Sequence, residues 1–149
     1  MMLRWASLMA ALMIAFPAVA QTSTQSQGMK IIDAREFVIY FDAGDNSLTN
    51  EDQATVADVI NFIDGFEREN LPLKRVIVVG RADASERSLG DTLDLSKLRA
   101  WHVADALVNA GVPASQIAVD WKGDTDPVTW PDPKGPPVKN QSVTIDFNF

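Results

Sequence analysis

Cysteine is absent from all 149 residues, and histidine occurs once, at His102. Without thiols the chain has no disulfides and no thiolate metal ligands, so its fold rests on packing alone. One imidazole cannot build a multi-histidine zinc site. Positive charge is scarce: 13 Lys and Arg stand against 20 Asp and Glu, a net charge of −7. No basic run of any length offsets it. An acidic chain repels nucleic acid and anionic lipid, so neither is an expected partner. No apolar run comfortably reaches the ~20 residues that a membrane-spanning helix needs.

The longest apolar stretch lies at the start. Arg4 gives a short positive region, residues 8–16 are apolar, and Ala18-Val19-Ala20 is a small-x-small cleavage pattern before Gln21. Residues 1–20 therefore read as a cleaved export signal, with an uncleaved anchor as the competing reading. Cleavage would leave the remainder one charge unit more acidic, because Arg4 is the only charged residue removed. No cysteine follows the cleavage site, which excludes lipoprotein attachment there. The expectation is a periplasmic protein with no stable membrane insertion. Residues 21–33 are mostly polar and without periodicity, and read as a flexible tether. Residues 34–149 are enough for one domain with its own core.

Within that domain the chain alternates between strand and helix patterns. Residues 34–41 form an aromatic and β-branched run, read as a central buried strand. Thr49 suits a helix N-cap, with Asp52 three residues on, close to a capping box. Val56, Val59, Ile60 and Ile63 give that helix one apolar face, and Pro72 stops it. Residues 74–80 form a second strand whose unbroken apolar run suggests cover on both faces. Strand, helix and strand at this spacing favour a right-handed parallel crossover.

Residues 76–108 organise the rest. A strand ends at Gly80, a polar loop spans residues 81–94, and an amphipathic helix over residues 95–109 carries Arg99 in its second turn. The loop is long against the usual two to about six residues. It holds Arg81, Asp83, Glu86, Arg87, Asp91 and Asp94, which as a set read as solvated charges. Asp83, three residues past the strand, is singled out as a site candidate. His102 reads as a surface or boundary residue. Gly111 and Pro113 end the helix. Residues 116–121 alternate as a half-exposed strand, and residues 122–139 form a Pro- and Gly-rich loop carrying Trp130. Residues 141–147 form the last strand, with Val143, Ile145 and Phe147 inward. The expected fold is α+β: a two-layer β-α-β-α-β-β sandwich with helices on one face of a mixed sheet.

Several segments together resemble the OmpA-like peptidoglycan-binding domain. They are Phe41-Asp42 with Leu48-Thr49, Val79-Gly80-Arg81-Ala82-Asp83, and Leu95-Ser96-Lys97-Leu98-Arg99-Ala100. Residues 106–112 end the second helix as in that family, residues 123–128 resemble its Gly-x-x-x-Pro turn, and residues 140–145 resemble its final strand. The resemblance implies a non-catalytic, periplasmic or outer-membrane-associated module without a cofactor, whose partner is peptidoglycan. It implies that Asp83 and Arg99 hold the diaminopimelate end of a stem peptide, with Phe41, Arg81, Thr92 and Asn140 as accessory positions.

The chemistry suits that assignment. The free end of diaminopimelate is a zwitterion, needing a carboxylate for its ammonium and a guanidinium for its carboxylate. An exposed ion pair contributes only ~0.2–1 kcal/mol, so useful affinity needs partial burial and nearby backbone donors. The purely structural alternative is an Asp83–Arg99 salt bridge bracing the loop. The sequence departs from the family at Ala82, where a threonine is usual, near Thr92, where an asparagine is usual, and at Gln141-Ser142, where two arginines are usual. Arg81 and Arg87 are the nearby residues that could restore the lost charge. Two other functions compete. One is a protein-interaction module in the envelope, anchored through Trp130. The other is glycan hydrolysis by Asp83 paired with Glu86 or Asp91, which lacks an apolar pocket to raise one carboxyl's pKa.

Overall fold

The computed structural model describes residues 36–127 and 140–149. The main elements in chain order are β1 (Glu36–Tyr40), α1 (Asn50–Arg68), β2 (Arg75–Gly80), α2 (Thr92–Asn109), β3 (Ile117–Trp121) and β4 (Ser142–Asn148). Two 3₁₀ turns, Ala84–Ser88 and Ala114–Gln116, precede α2 and β3. The architecture is the expected α+β sandwich. The expected export signal, the tether and Trp130 lie outside the described residues. Among the described residues, no helix is long and apolar enough to cross a membrane.

The four strands lie in the order β1-β4-β2-β3. β4 runs antiparallel to both its neighbours, and β2 and β3 are parallel. This corrects the expectation for the first strand, which is an edge strand and not a central one. The last strand inserts between β1 and β2, so the crossover through α1 joins parallel strands that are not neighbours. The hydrophobicity of β1 reflects a single well-covered face. Ile39 is buried, and the Phe37 ring meets Phe62 and Phe147 edge-on at 5.4 and 5.8 Å.

One core fills the space between sheet and helices. Val76 and Val78 of β2 and Val143 and Ile145 of β4 supply its floor at period two. Val56, Val59 and Ile63 of α1, with Ala100, Val103 and Leu107 of α2, supply its roof at helical spacing. Thr49 caps α1 through the anticipated reciprocal box: Asp52 N donates to Thr49 Oγ1 at 3.2 Å, and Thr49 N donates to Asp52 Oδ2 at 2.7 Å.

α2 begins three residues before its expected start, because Asp91 is its N-cap. Asp91 Oδ1 accepts from Leu93 N at 2.8 Å and from Asp94 N at 3.4 Å. The apolar pattern could not reveal this first turn, since Leu93 is half-exposed and adds nothing to the buried face. The polar segment between β2 and α2 is correspondingly shorter than the sequence suggested, and much of it is the ordered turn Ala84–Ser88.

Candidate functional site

The site is assembled where α2 crosses the end of β2. Contact there is close: a Cβ on Gly80 would lie 2.0 Å from Ser96 O. Ser96, fully buried, ties three segments together. Its hydroxyl donates to Leu93 O at 2.8 Å and accepts from Gly123 N at 2.9 Å. Gly123 O in turn accepts from Ala82 N at 2.8 Å. Gly123 makes this turn with φ +57°, a conformation that favours glycine. The register of α2 against the β2 loop is thereby fixed.

Arg99 lies three residues beyond Ser96, on the same inward face as Ala100 and Val103. Its side chain is 0 % exposed. All five of its N–H groups are engaged. Nε donates to Asp45 O at 2.8 Å, Nη1 to Arg81 O at 3.2 Å and Nη2 to Asp42 O at 3.1 Å. The other two donors grip Glu86, Nη1 to Oε2 at 3.0 Å and Nη2 to Oε1 at 2.7 Å. The guanidinium carbon lies 5.2 Å from the centre of the buried Phe41 ring.

Glu86 is equally enclosed, with its side chain 0 % exposed. Each carboxylate oxygen takes one guanidinium N–H and one backbone N–H. Oε1 accepts from Gly44 N at 2.8 Å and Oε2 from Asp83 N at 2.8 Å. Burial pushes this carboxyl's pKa up, but Arg99 and the two amides outweigh it and hold the group below its ordinary value of 4.5.

Asp83 and Arg99 are thus brought together, though through an intermediary. The Asp83 amide and the Arg99 guanidinium both donate to Glu86 Oε2. The alternative read from sequence, an Asp83–Arg99 salt bridge, is not formed; Arg99 pairs with Glu86. The Asp83 carboxylate caps the 3₁₀ turn instead, Oδ1 accepting from Ser85 N at 2.9 Å. Hydrogen bonds from the Ser85 hydroxyl and amide, and from the Asn140 side chain, hold its pKa below the usual carboxylate range against the effect of burial.

The remaining accessory positions divide. Phe41 and Asn140 touch the site, on Arg99 and Asp83 respectively. Arg81 contributes its carbonyl to Arg99, while its guanidinium turns to Thr144 Oγ1 at 3.1 Å and Asp126 O at 3.0 Å. Thr92 opens α2 and donates to Asp124 Oδ1 at 3.3 Å. Arg87 pairs with the same Asp124. The charges of Arg81 and Arg87 are therefore spent on Asp126 and Asp124.

Glu86 is the residue that sequence reasoning missed. By composition it reads as one of the solvated loop charges, yet Asp83-Ala84-Ser85-Glu86 has capping-box spacing. That pattern announces an ordered turn with its glutamate folded back on the cap.

The mixed four-stranded sheet with two helices is the α+β arrangement of OmpA-like domains. The chain matches the OmpA family model over residues 40–141, and it belongs to that family. No curated protein matches it. Among solved structures it is similar to the peptidoglycan-associated lipoprotein from Burkholderia pseudomallei, with TM-score 0.56 and 21% identity over 76% of this chain and 90% of that one. It is also similar to the C-terminal domain of Helicobacter pylori MotB, with TM-score 0.57 and 21% identity over 74% and 81% of the two chains. The OmpA-like domain of FopA1 from Francisella tularensis matches with TM-score 0.57 and 21% identity over 78% and 79%. At these identities the likeness is one of fold.

Proposed function

We propose that this domain is a non-catalytic module of the periplasm that binds peptidoglycan, taking the diaminopimelate end of a stem peptide at Asp83 and Arg99. Residues 1–20 would direct its export. One observation carries the proposal: the Arg99 guanidinium fork and two backbone amides are arranged to hold a carboxylate, here the chain's own Glu86. An ionised Asp83 lies beside it, as a zwitterion's ammonium requires. Family membership supports the same reading, and so does the likeness to a peptidoglycan-associated lipoprotein. A non-catalytic role fits the carboxyl chemistry. Asp83 and Glu86 both have lowered pKa values, whereas a glycosidic general acid needs a raised one.

Asp83→Asn is the cleanest test, because asparagine keeps an acceptor for the turn and removes only the charge. Binding to diaminopimelate-type peptidoglycan, measured by pulldown and titration, should weaken roughly tenfold, the equivalent of one charge-assisted hydrogen bond. Wild-type binding by this variant would overturn the assignment.

A second reading is that the domain docks another envelope protein. The outer side of α2 favours it: Leu98, Trp101 and Val108 lie there partly exposed, in a ridge of helical spacing. A half-exposed tryptophan is a common binding anchor. Crosslinking at Trp101 that gives one dominant protein adduct, with no recovery on peptidoglycan, would favour this reading over the first.

A further inference from the structure

We infer that Glu86 is a built-in occupant of the domain's carboxylate subsite, and that an external carboxylate binds Arg99 only by displacing it. The inference deepens the wall-binding reading and takes its ligand, an α-amino carboxylate, from it. Its first test needs no wall.

The subsite is complete without Glu86. Three carbonyls, from Asp42, Asp45 and Arg81, fix the guanidinium from behind, and the Phe41 ring lies against it. Two N–H groups of Arg99, with Gly44 N and Asp83 N, then converge on one carboxylate. These donors belong to the β1–α1 loop, the segment just after β2, and α2. Only the Asp83 amide adjoins the turn that carries Glu86. Four donors from three places in the chain thus converge on that one carboxylate.

Glu86 is also the only buried residue of the turn that supplies it. Ala84, Ser85, Arg87 and Ser88 are all exposed, as are Leu89 and Gly90 beyond them. The turn is held by its glutamate, its cap and the Arg87–Asp124 ion pair, with no apolar side chain of its own in the core. Withdrawal of the turn would bare the guanidinium fork and the Asp83 amide together, beside the Asp83 carboxylate. A ligand carrying a carboxylate and an ammonium would then meet both counter-charges. A tethered carboxylate competes at an effective concentration of millimolar or higher, so the wild-type chain binds small carboxylates weakly.

The experiment is thermal melting of the full chain and of Glu86→Ala in sodium acetate against sodium chloride at equal ionic strength, then in meso-diaminopimelate. Glu86→Ala should melt lower than wild type in chloride. Acetate should raise its melting temperature saturably, while wild type should not respond. Meso-diaminopimelate should act on Glu86→Ala at lower concentration than acetate. Its affinity there should exceed that for wild type on the order of 100-fold, as expected when about one wild-type molecule in a hundred is open. A folded Glu86→Ala that acetate stabilises no more than chloride overturns the inference, as does an equal response from wild type. If Glu86→Ala does not fold in chloride, circular dichroism in acetate becomes the readout, and failure to fold there too also overturns it. Acetate rescue with no peptidoglycan binding by either protein would refute the wall-binding reading alone, and wall binding without rescue would refute this inference alone.

Discussion

Arg99→Ala should lower the unfolding free energy by about 3–5 kcal/mol, the cost of stranding one member of a buried ion pair. The magnitude follows from what is left behind. Glu86 would remain enclosed with two amide donors and no cation. The carbonyls of Asp42, Asp45 and Arg81 would lose their partner as well. An arginine kept only for an external ligand would behave otherwise, since substitutions at exposed positions usually fall within about 0.5 kcal/mol. Urea denaturation of the folded fraction measures the difference. Arg99→Lys should fall between wild type and alanine, because an ammonium carries charge but cannot fill five fixed donor positions. Loss of wall binding by Arg99→Ala would therefore not by itself demonstrate ligand contact. The pair also sets a pH dependence. The folded-state pKa of Glu86 is lowered, so its contribution is full above the ordinary value of 4.5 and is lost as pH falls through the folded-state value.

Gly80→Ala should be comparably damaging, at about 3 kcal/mol or more, the upper end of what overpacking costs. The new methyl carbon would lie 2.0 Å from Ser96 O and 3.0 Å from Ala100 Cβ. The first of these is helix backbone, which cannot rotate away. α2 would have to lift from β2, pulling Ser96 from Gly123 and Arg99 from its cradle. Gly65→Ala is the matching control. Nothing lies within 4 Å of a Cβ built there, and the residue is inside α1. That change should stabilise by about 0.4–1 kcal/mol through helix propensity and reduced chain entropy. Chemical denaturation of the two variants side by side should move their midpoints in opposite directions. A neutral Gly80→Ala would mean that α2 does not cross β2 as described.

Much of this was legible before the fold was known, and particular residues show where legibility ends. The period-three and period-four spacing of Val56, Val59 and Ile63 gave α1 its buried face, because a helix must hide one stripe. The alternation of Val143, Ile145 and Phe147 gave β4 its inward side in the same way. Strand order was not encoded locally. β1 looked central because of its aromatic run, but whether β4 would pair outside β1 or between β1 and β2 depends on contacts across about a hundred residues. The start of α2 was hidden because an N-cap works through Asp91 hydrogen bonds and not through hydrophobic pattern. At the site a loop acid does pair with the helix arginine, but that acid is Glu86 and not Asp83. Asp83 drew attention by its position, whereas Glu86 reaches Arg99 because the capping turn folds it inward.

The central claim is that Glu86 and Arg99 act as one buried unit, and a double-mutant cycle tests it most directly. Unfolding free energies would be measured for wild type, Glu86→Leu, Arg99→Leu and the double variant. The account predicts that each single change costs several kcal/mol and that the double costs less than either, since a buried pair replaced by apolar side chains is often close to neutral. Losses that add to within about 0.5 kcal/mol in the double variant would contradict it, because independent sites behave that way.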